Sequence, residues 1–333
     1  MKKTAVFMST IFVLLSICFQ AVTAQELITK YTRSEEMPKL YYSGALVGKT
    51  YYVAGTGDGR AKSPDESYYD KTKRCFASIQ RSLKMGELDL ENVVQAWVML
   101  EDSEGVKDMT RAWKETFPAN SPARTTFYVA NIPGPSEMEI TAIAYSDLSE
   151  RSIVGPKDLT YSLGVLAGKT LYVSGRGSSK PGGGQHDTFE EQARQAMKNM
   201  EHALTEAKLD YGHVVWSNIY IDNYDNLGIF NKVYSEFFDY GDEPARVTVI
   251  CEGIPGGNHV EVTCFATTDL NDRQVVRPAS MKFGPDGNAP TASPGMWAGN
   301  TLYLSGQTGF VPHAGIGTVD LEVQFRQMMQ NHL

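Results

Sequence analysis

The sequence has few of the residues that build metal centres and disulfide frameworks. It contains four cysteines and six histidines in 333 residues. No cysteine pair is spaced C-x-x-C and no histidine pair H-x-x-x-H, so neither a metal site nor a redox motif is predicted. Three cysteines lie beyond residue 24, Cys75, Cys251 and Cys264, and an odd number cannot all pair. The spacing of Cys251 and Cys264 fits two buried strand residues, although a bridge across a hairpin stays open.

The sequence also has fewer positively charged than negatively charged residues. Lys and Arg number 31 against 39 Asp and Glu, which gives a formal net charge of -8. An acidic chain repels phosphate groups, so binding to nucleic acid or to an anionic membrane is not expected. With 42% hydrophobic and 21% charged residues, the composition is that of a globular protein, and the length indicates two or three domains.

The only long apolar run lies at the N-terminus, and residues 1–24 read as a secretory signal peptide. Lys2 and Lys3 precede the apolar run 5–19, and small residues before Gln25 offer a cleavage site. We therefore expect an exported protein, periplasmic or secreted. A lipid anchor at Cys18 is the alternative, with the bulky Ile17 as a poor fit to it.

An internal repeat predicts the domain organisation. The segment 45–55 recurs as 165–175 and again as 296–306, and the Pro-Ala-Arg motifs ending at Arg124 and Arg246 lie 122 residues apart. This indicates a first unit at 25–150, a second at 151–270 and an incomplete third at 271–333. The third holds an opening hairpin and the start of one helix. Such an exposed half-unit is expected to be a truncated product or to dock on another chain.

The elements of one unit follow from its periodicity. In the second unit, strands are predicted at 170–174 and 214–221, and helices at 188–208, after a Thr188 cap, and 227–238. Two closing strands, 247–251 and 260–267, are interpreted as a β-hairpin. The order predicts an α+β fold, a two-layer sandwich of a mixed β-sheet with two helices on one face, tandemly repeated.

One arginine and one glutamate recur in each complete unit. Each arginine follows Pro-Ala, at Arg124 and Arg246, and its guanidinium is suited to bidentate hydrogen bonding with a carboxylate. Glu139 and Glu261 follow 15 residues later in apolar strands, where burial raises a carboxyl pKa and suits it to move a proton. A salt-bridged strand end for the arginines and a solvent-facing strand residue for the glutamates are the structural alternatives. In a simple hairpin the arginine and the glutamate stand about 16 Å apart, so a bulge must correct the register or a pocket must form between units.

Five ordered motifs together resemble one family. They are the run 161–175, the helical segment 191–200, the segment 231–238, Pro244-Ala-Arg246 and Val260-Glu-Val. They are similar to the Rid/YjgF family, the reactive intermediate (enamine/imine) deaminases, also called endoribonuclease L-PSP, over essentially all of 25–333. The resemblance implies a chorismate-mutase-like fold in a homo-oligomer, usually a trimer, or here an intrachain pseudo-trimer, with pockets between subunits. It also implies hydrolysis of 2-aminoacrylate-like enamines or imines to 2-keto acids and ammonia, with no metal or organic cofactor.

The resemblance also implies roles for single residues. Arg124 and Arg246 bind the substrate carboxylate, and Glu139 and Glu261 help to activate water. The implied substrate-binding positions are Tyr41, Gly55, Tyr161, Ser174, Gly175 and Asn231. The first unit departs from the pattern, since Ala54, Lys71, Ser78 and Thr110 stand where the second has Ser174, Gln192, Asn199 and Asn231. The third has Ala292 at the tyrosine position and contains no equivalent Arg or Glu, so alone it should be inactive.

Two other functions stay open. The altered first unit and the export signal are consistent with a noncatalytic module that binds small carboxylates or partner proteins. Ribonuclease activity is a weaker alternative, against which the acidic charge and the scattered histidines argue. The expected partners are a small carboxylate substrate and further copies of the same fold, with no nucleic acid and no membrane after signal cleavage.

Overall fold

The computed structural model describes residues 28–32, 42–59, 66–156, 160–277, 291–309 and 320–331. The chain forms two compact units that divide between Gly168 and Lys169. The predicted signal peptide and Tyr41 lie outside the described residues. In the ranges that are described, no helix is both long enough and apolar enough to cross a bilayer.

The first unit is a mixed α+β structure. Its elements are β1 (Ile28–Tyr31), β2 (Gly44–Val47), β3 (Thr50–Gly57), α1 (Tyr68–Met85), β4 (Val93–Leu100), α2 (Gly105–Thr116), β5 (Ala123–Tyr128), β6 (Met138–Tyr145), β7 (Arg151–Val154) and β8 (Gly164–Ala167). A six-stranded sheet has the order β1-β2-β3-β6-β4-β5. Strands β7 and β8 pair with each other as an antiparallel hairpin.

The helices of this unit cover the sheet with a continuous apolar core. Helix α1 begins after Ser67, whose side chain accepts a hydrogen bond from the Asp70 N–H. Its buried residues include Cys75, Ile79 and Leu83, which recur at helical spacing on one face. Each such side chain contributes roughly 1.5–3 kcal/mol by leaving water, so this face holds the helix on the sheet.

The second unit repeats this plan and adds part of a third repeat. Its elements are β9 (Thr170–Val173), β10 (Arg176–Gly177), α3 (Phe189–Glu206), β11 (Val214–Ile221), α4 (Leu227–Tyr234), β12 (Ala245–Ile250), β13 (Val260–Thr267), β14 (Arg273–Val276), β15 (Gly295–Ala298), β16 (Thr301–Leu304) and α5 (Leu321–Asn331). Within it, β12, β11, β13 and β9 are successive neighbours in a sheet, β10 pairs with β13, and β14-β15-β16 form a small second sheet.

Both predicted helices are present, and both end before their predicted last residue. Helix α3 begins after Thr188, whose hydroxyl accepts from the Glu191 N–H as predicted. Helix α4 ends at Tyr234, four residues before the predicted end. Beyond it the chain turns, and Phe237 and Phe238 pack their rings against Tyr211.

The predicted closing hairpin is wrong. Strands β12 and β13 are not neighbours, because β11 lies between them, parallel to β12 and antiparallel to β13. Helix α4 returns the chain beside β11 in the same direction, as a strand–helix–strand crossover requires. The Pro-Gly-Gly-Asn turn closes only an isolated bridge between Ile254 and Asn258.

The same arrangement settles the cysteine pairing that the sequence left open. Cys264 lies in β13, whereas Cys251 directly follows β12, on the far side of β11. Both residues are buried free thiols, as is Cys75. Burial raises the pKa of Cys251 to about 11, so this thiol is largely protonated at neutral pH.

The incomplete third repeat docks on the second unit of its own chain, a contact that the sequence-based expectation of a truncated product or of docking on another chain did not include. The Ser293 N–H donates to the Pro244 carbonyl at 3.1 Å, and the Gly306 N–H donates to the Arg246 carbonyl at 2.9 Å. These bonds satisfy the open edge of β12, which otherwise presents unpaired backbone groups.

Candidate active site

Arg246 stands at the start of β12 and is held by helix α4. Its Nη2 donates to the Asn231 Oδ1 at 2.9 Å. The guanidinium carbon lies 4.9 Å from the centroid of the Tyr234 ring, which is within the range of a cation–π contact. Both partners come from α4, so the side chain points to the helical face of the sheet.

Among the described residues, no carboxylate pairs with this guanidinium. Nη1 is buried and has no hydrogen-bond acceptor among the described residues. Burial lowers the pKa of Arg246, although a guanidinium stays charged at neutral pH. A buried donor without a hydrogen-bond acceptor lowers the stability of the folded protein by about 1–3 kcal/mol, and by more when the donor is charged. A carboxylate that reached Nη1 would offset this cost.

The third repeat contacts the backbone of Arg246. The Arg246 N–H donates to the Ser305 Oγ at 2.8 Å, and the Ser305 hydroxyl donates in turn to the Ser293 carbonyl. Ser305 and Gly306 occupy the repeat positions of Ser174 and Gly175. The arginine of one repeat is therefore bracketed by the Ser-Gly pair of the next repeat, not by the pair in its own.

Arg124, the arginine of the first repeat, lies between two aromatic rings. Its guanidinium carbon is 5.1 Å from the Trp113 ring centroid and 4.5 Å from that of Tyr161. Nη1 donates to the Met109 sulfur at 3.5 Å, and the residue is 7% exposed. Tyr161 belongs to the start of the second repeat, so here too a residue of one repeat meets the arginine of the repeat before it.

Hydrogen bonds hold the Trp113 ring and the backbone beside Tyr161 near Arg124. The Trp113 Nε1 donates to the Ser121 Oγ at 2.8 Å. The Ser121 hydroxyl lies 3.3 Å from the Thr160 carbonyl, to which it donates. This chain of bonds ties the helix, the start of β5 and the Tyr161 segment together.

Each candidate glutamate packs across a glycine. A Cβ placed on Gly55 would overlap the Glu139 carboxylate, and one placed on Gly175 would overlap that of Glu261. In the first unit the ladder between β3 and β6 shifts register between Val53 and Thr56, and a bulge of this kind commonly re-aims a side chain. The repeated glycine thus makes room for the carboxylate.

The surroundings of Glu139 favour its protonated form. Glu139 is half-buried, and burial raises its pKa above the usual range. Glu261 is 9% exposed. A carboxyl group with a raised pKa is suited to donate and accept a proton near neutral pH.

The arginine and the glutamate of one repeat do not meet. Arg246 is in register with Ser217, whereas Glu261 is in register with Tyr220. The two are separated by two strand spacings and three residues, about 14 Å. The sequence-based separation was similar, but its cause is the intervening strand β11 and not the length of a hairpin.

Two departures of the first repeat, at the positions of Gln192 and Asn199, concern a loop, whereas Thr110 replaces the Asn231 that binds the Arg246 guanidinium. The Gln192 Nε2 donates to the His186 carbonyl at 2.8 Å, and the Asn199 Nδ2 donates to the Gly177 carbonyl at 2.8 Å. Both bonds hold the loop that follows β10. At the Gln192 position the first repeat has Lys71, which pairs with Glu137.

Sequence reasoning missed the residues that contact the arginines from the helices and from the third repeat. Trp113 and Tyr234 lie 121 residues apart, and an aromatic residue at the same position of both repeats was the available signal. Ser305 carried a signal too, as part of the third Ser-Gly pair. Over the described ranges, no three His, Cys, Asp or Glu side chains gather to hold a metal ion.

Comparisons with known proteins agree with the repeat. The family model described as Endoribonuclease L-PSP matches residues 34–146 and 156–268. The 2-iminobutanoate/2-iminopropanoate deaminase of Rattus norvegicus is 32% identical over 108 residues, which are 32% of this chain and 78% of the rat protein. A RutC family protein of Saccharolobus solfataricus is 34% identical over 115 residues, 34% of this chain and 87% of that protein.

A solved structure is also similar in sequence. A protein of unknown function of the Rid family from Yersinia pestis is 29% identical, with a TM-score of 0.34. The match covers 35% of this chain and 98% of the Yersinia chain. Each of these relatives corresponds to about one repeat.

Proposed function

Because the chain belongs to the endoribonuclease L-PSP (Rid/YjgF) family, we propose that it is a cofactor-free deaminase. It hydrolyses small carboxylate-bearing enamines or imines to 2-keto acids and ammonia. The observation that carries the proposal is the buried Nη1 of Arg246, a cationic donor without an acceptor among the described residues. The rat relative, named for deamination of 2-iminobutanoate and 2-iminopropanoate, supports the same substrate class.

The reaction needs little beyond positioning. A guanidinium binds the carboxylate and so fixes the imine carbon, to which water adds. A proton then moves to nitrogen, the C–N bond breaks, ammonia leaves, and the oxygen from water remains as the keto group. An enamine first takes a proton at its β-carbon and becomes the imine. Imines hydrolyse in water unaided, so holding the anion and one water supplies useful acceleration.

A glutamate with a raised pKa suits the proton steps. As the carboxylate it removes a proton from the attacking water, and as the acid it returns one to nitrogen. Since Arg246 and Glu261 lie about 14 Å apart by strand geometry, one repeat cannot supply both groups to one substrate. In this proposal they come from different repeats or from different copies of the chain, as in a homo-oligomer.

The test is a direct assay with arginine variants. The purified chain is mixed with a pyridoxal-phosphate enzyme that releases 2-aminoacrylate, and pyruvate formation is followed. We expect acceleration that the double variant Arg124→Ala/Arg246→Ala abolishes. Arg326→Ala is the matched control, because Arg326 is exposed on α5 and pairs with the neighbouring Glu322. No acceleration by the wild-type chain would overturn the proposal.

Binding without turnover is the second candidate, and the altered first repeat favours it, since Thr110 replaces the asparagine that holds Arg246 from α4. Calorimetry with pyruvate distinguishes the two. Binding that Arg124→Ala/Arg246→Ala removes, together with no pyruvate formation above the uncatalysed rate, would establish a carboxylate-binding module.

We also propose that the chain is exported. Expression of the full sequence in a bacterium with a periplasm, followed by N-terminal sequencing, should give Gln25 as the first residue. A blocked, lipid-modified Cys18 would support the anchor instead, and a retained Lys2 would contradict both.

A further inference from the structure

The two arginine sites differ in the aromatic rings that contact the guanidinium. Arg124 has a ring on each side, Trp113 from α2 and Tyr161 from the following repeat. Arg246 has the α4 ring, Tyr234, at the position of Trp113. No second ring contacts Arg246 within the part of the chain that the structure describes. At the position of Tyr161 the third repeat carries Ala292.

The backbone next to Ala292 lies near Arg246. The adjacent residue, Ser293, donates its N–H to the Pro244 carbonyl, two residues before the arginine, at 3.1 Å. Ser293 also accepts from the Ser305 hydroxyl that binds the Arg246 N–H. At Arg124 the segment is attached on the other side of the tyrosine: Thr160, which directly precedes Tyr161, accepts through its carbonyl from Ser121, three residues before the arginine. Ala292 and Tyr161 thus each adjoin a residue that is bonded shortly before the arginine, but Ala292 has no ring to lay on the guanidinium.

From this difference we propose that the Arg246 site accepts carboxylates with a flat aromatic substituent, while Tyr161 restricts the Arg124 site to small ones. A planar group stacks favourably on a guanidinium face, as Tyr161 does on Arg124. With alanine at position 292, that face is left for the ring of the ligand, whose carboxylate meets Nη1. Ala292 and Tyr161 are then the specificity-determining residues. The inference rests on the proposed role of the two arginines in binding carboxylates.

The test measures binding and not turnover, so it can fail separately from the deaminase proposal. Calorimetry of the full chain uses pyruvate as the small probe and phenylpyruvate as the aromatic probe. We expect phenylpyruvate to bind one site per chain. Arg246→Ala should abolish that binding, and Arg124→Ala should leave it unchanged.

Exchange at the two specificity positions gives the sharper readout. Ala292→Tyr should weaken phenylpyruvate binding at least tenfold and leave pyruvate binding unchanged, whereas Ala292→Ser, which keeps the space, should bind both as wild type does. Tyr161→Ala should create a second phenylpyruvate site. Thermal melts establish that each variant is folded.

Three results would overturn the inference. They are phenylpyruvate binding that survives Arg246→Ala, binding that Ala292→Tyr leaves intact, and equal affinity of both sites for both probes in the wild-type chain. If neither probe binds although pyruvate is formed in the deamination assay, the inference fails while the proposed function stands. If pyruvate binds and is lost in the double arginine variant but no turnover occurs, the deaminase proposal fails alone.

Discussion

The backbone N–H of Arg246 donates a hydrogen bond to the hydroxyl of Ser305, 59 residues further along the chain. The bond joins the arginine of the second repeat to the Ser-Gly pair of the third. The incomplete repeat therefore has a structural role at a candidate binding site, because it satisfies the backbone beside the guanidinium.

Removing the Ser305 hydroxyl should destabilise this junction. Ser305→Ala leaves the Arg246 N–H without its acceptor and the Ser293 carbonyl without its donor, which costs about 1–3 kcal/mol in the free energy of unfolding. Chemical denaturation followed by fluorescence measures the loss. Ser235→Ala is the control, since its hydroxyl bonds the Lys232 carbonyl at an exposed helix end and its loss should change stability by less than about 0.5 kcal/mol. Equal effects of the two variants would contradict the role given to Ser305.

A methyl group at Gly175 should displace the Glu261 carboxylate. Gly175 does not have the left-handed φ that disfavours alanine, so the penalty of Gly175→Ala is the clash with Glu261, about 1–3 kcal/mol by analogy with overpacked cores. Deaminase activity should fall as well. The double variant Gly175→Ala/Glu261→Ala removes the clash and should lose less stability than the sum of the single variants.

Gly228→Ala provides the matched control for that substitution. An added Cβ at Gly228, in helix α4, meets nothing within 4 Å. Alanine should stabilise the helix there by up to about 1 kcal/mol. Strict additivity of the Gly175 and Glu261 changes would show that the glycine does not make room for the carboxylate.

The raised pKa of Glu139 predicts that the substitution Glu139→Gln changes the melting temperature by an amount that depends on pH. Burial holds the folded-state pKa above the unfolded value of about 4.3, so the folded state binds the proton more tightly. That stabilisation is fully present below the unfolded pKa and is lost as pH rises through the folded pKa. The glutamine of Glu139→Gln cannot ionise, so the melting temperature of this variant should rise relative to that of the wild type as the pH increases from 4 to 7. Parallel melting curves across this range would contradict the burial of an ionising carboxyl.

Local sequence patterns were sufficient for the elements and for the repeated motifs. Thr188 predicts the start of α3 because its hydroxyl accepts from the first turn, which is a contact between neighbours in sequence. The strand β11 was predicted at its observed bounds, since alternating apolar residues depend only on the side of the sheet that each faces. The hairpin was wrong because two adjacent strands in sequence need not be adjacent in space, and α4 places β12 on the other side of β11.

The sequence by itself determined the tandem repeat, the α+β class and the recurrence of Arg124 with Arg246 and of Glu139 with Glu261, because these follow from residue identity and short-range spacing. Only the tertiary structure decided which repeat supplies the residues that contact each arginine. Tyr161 lies on Arg124 and Ser305 binds the Arg246 N–H, and both contacts join residues that are far apart in sequence, so local patterns do not reveal them. Ala292 stands where the first site has Tyr161, and the role proposed for it follows from the position of its segment beside Arg246.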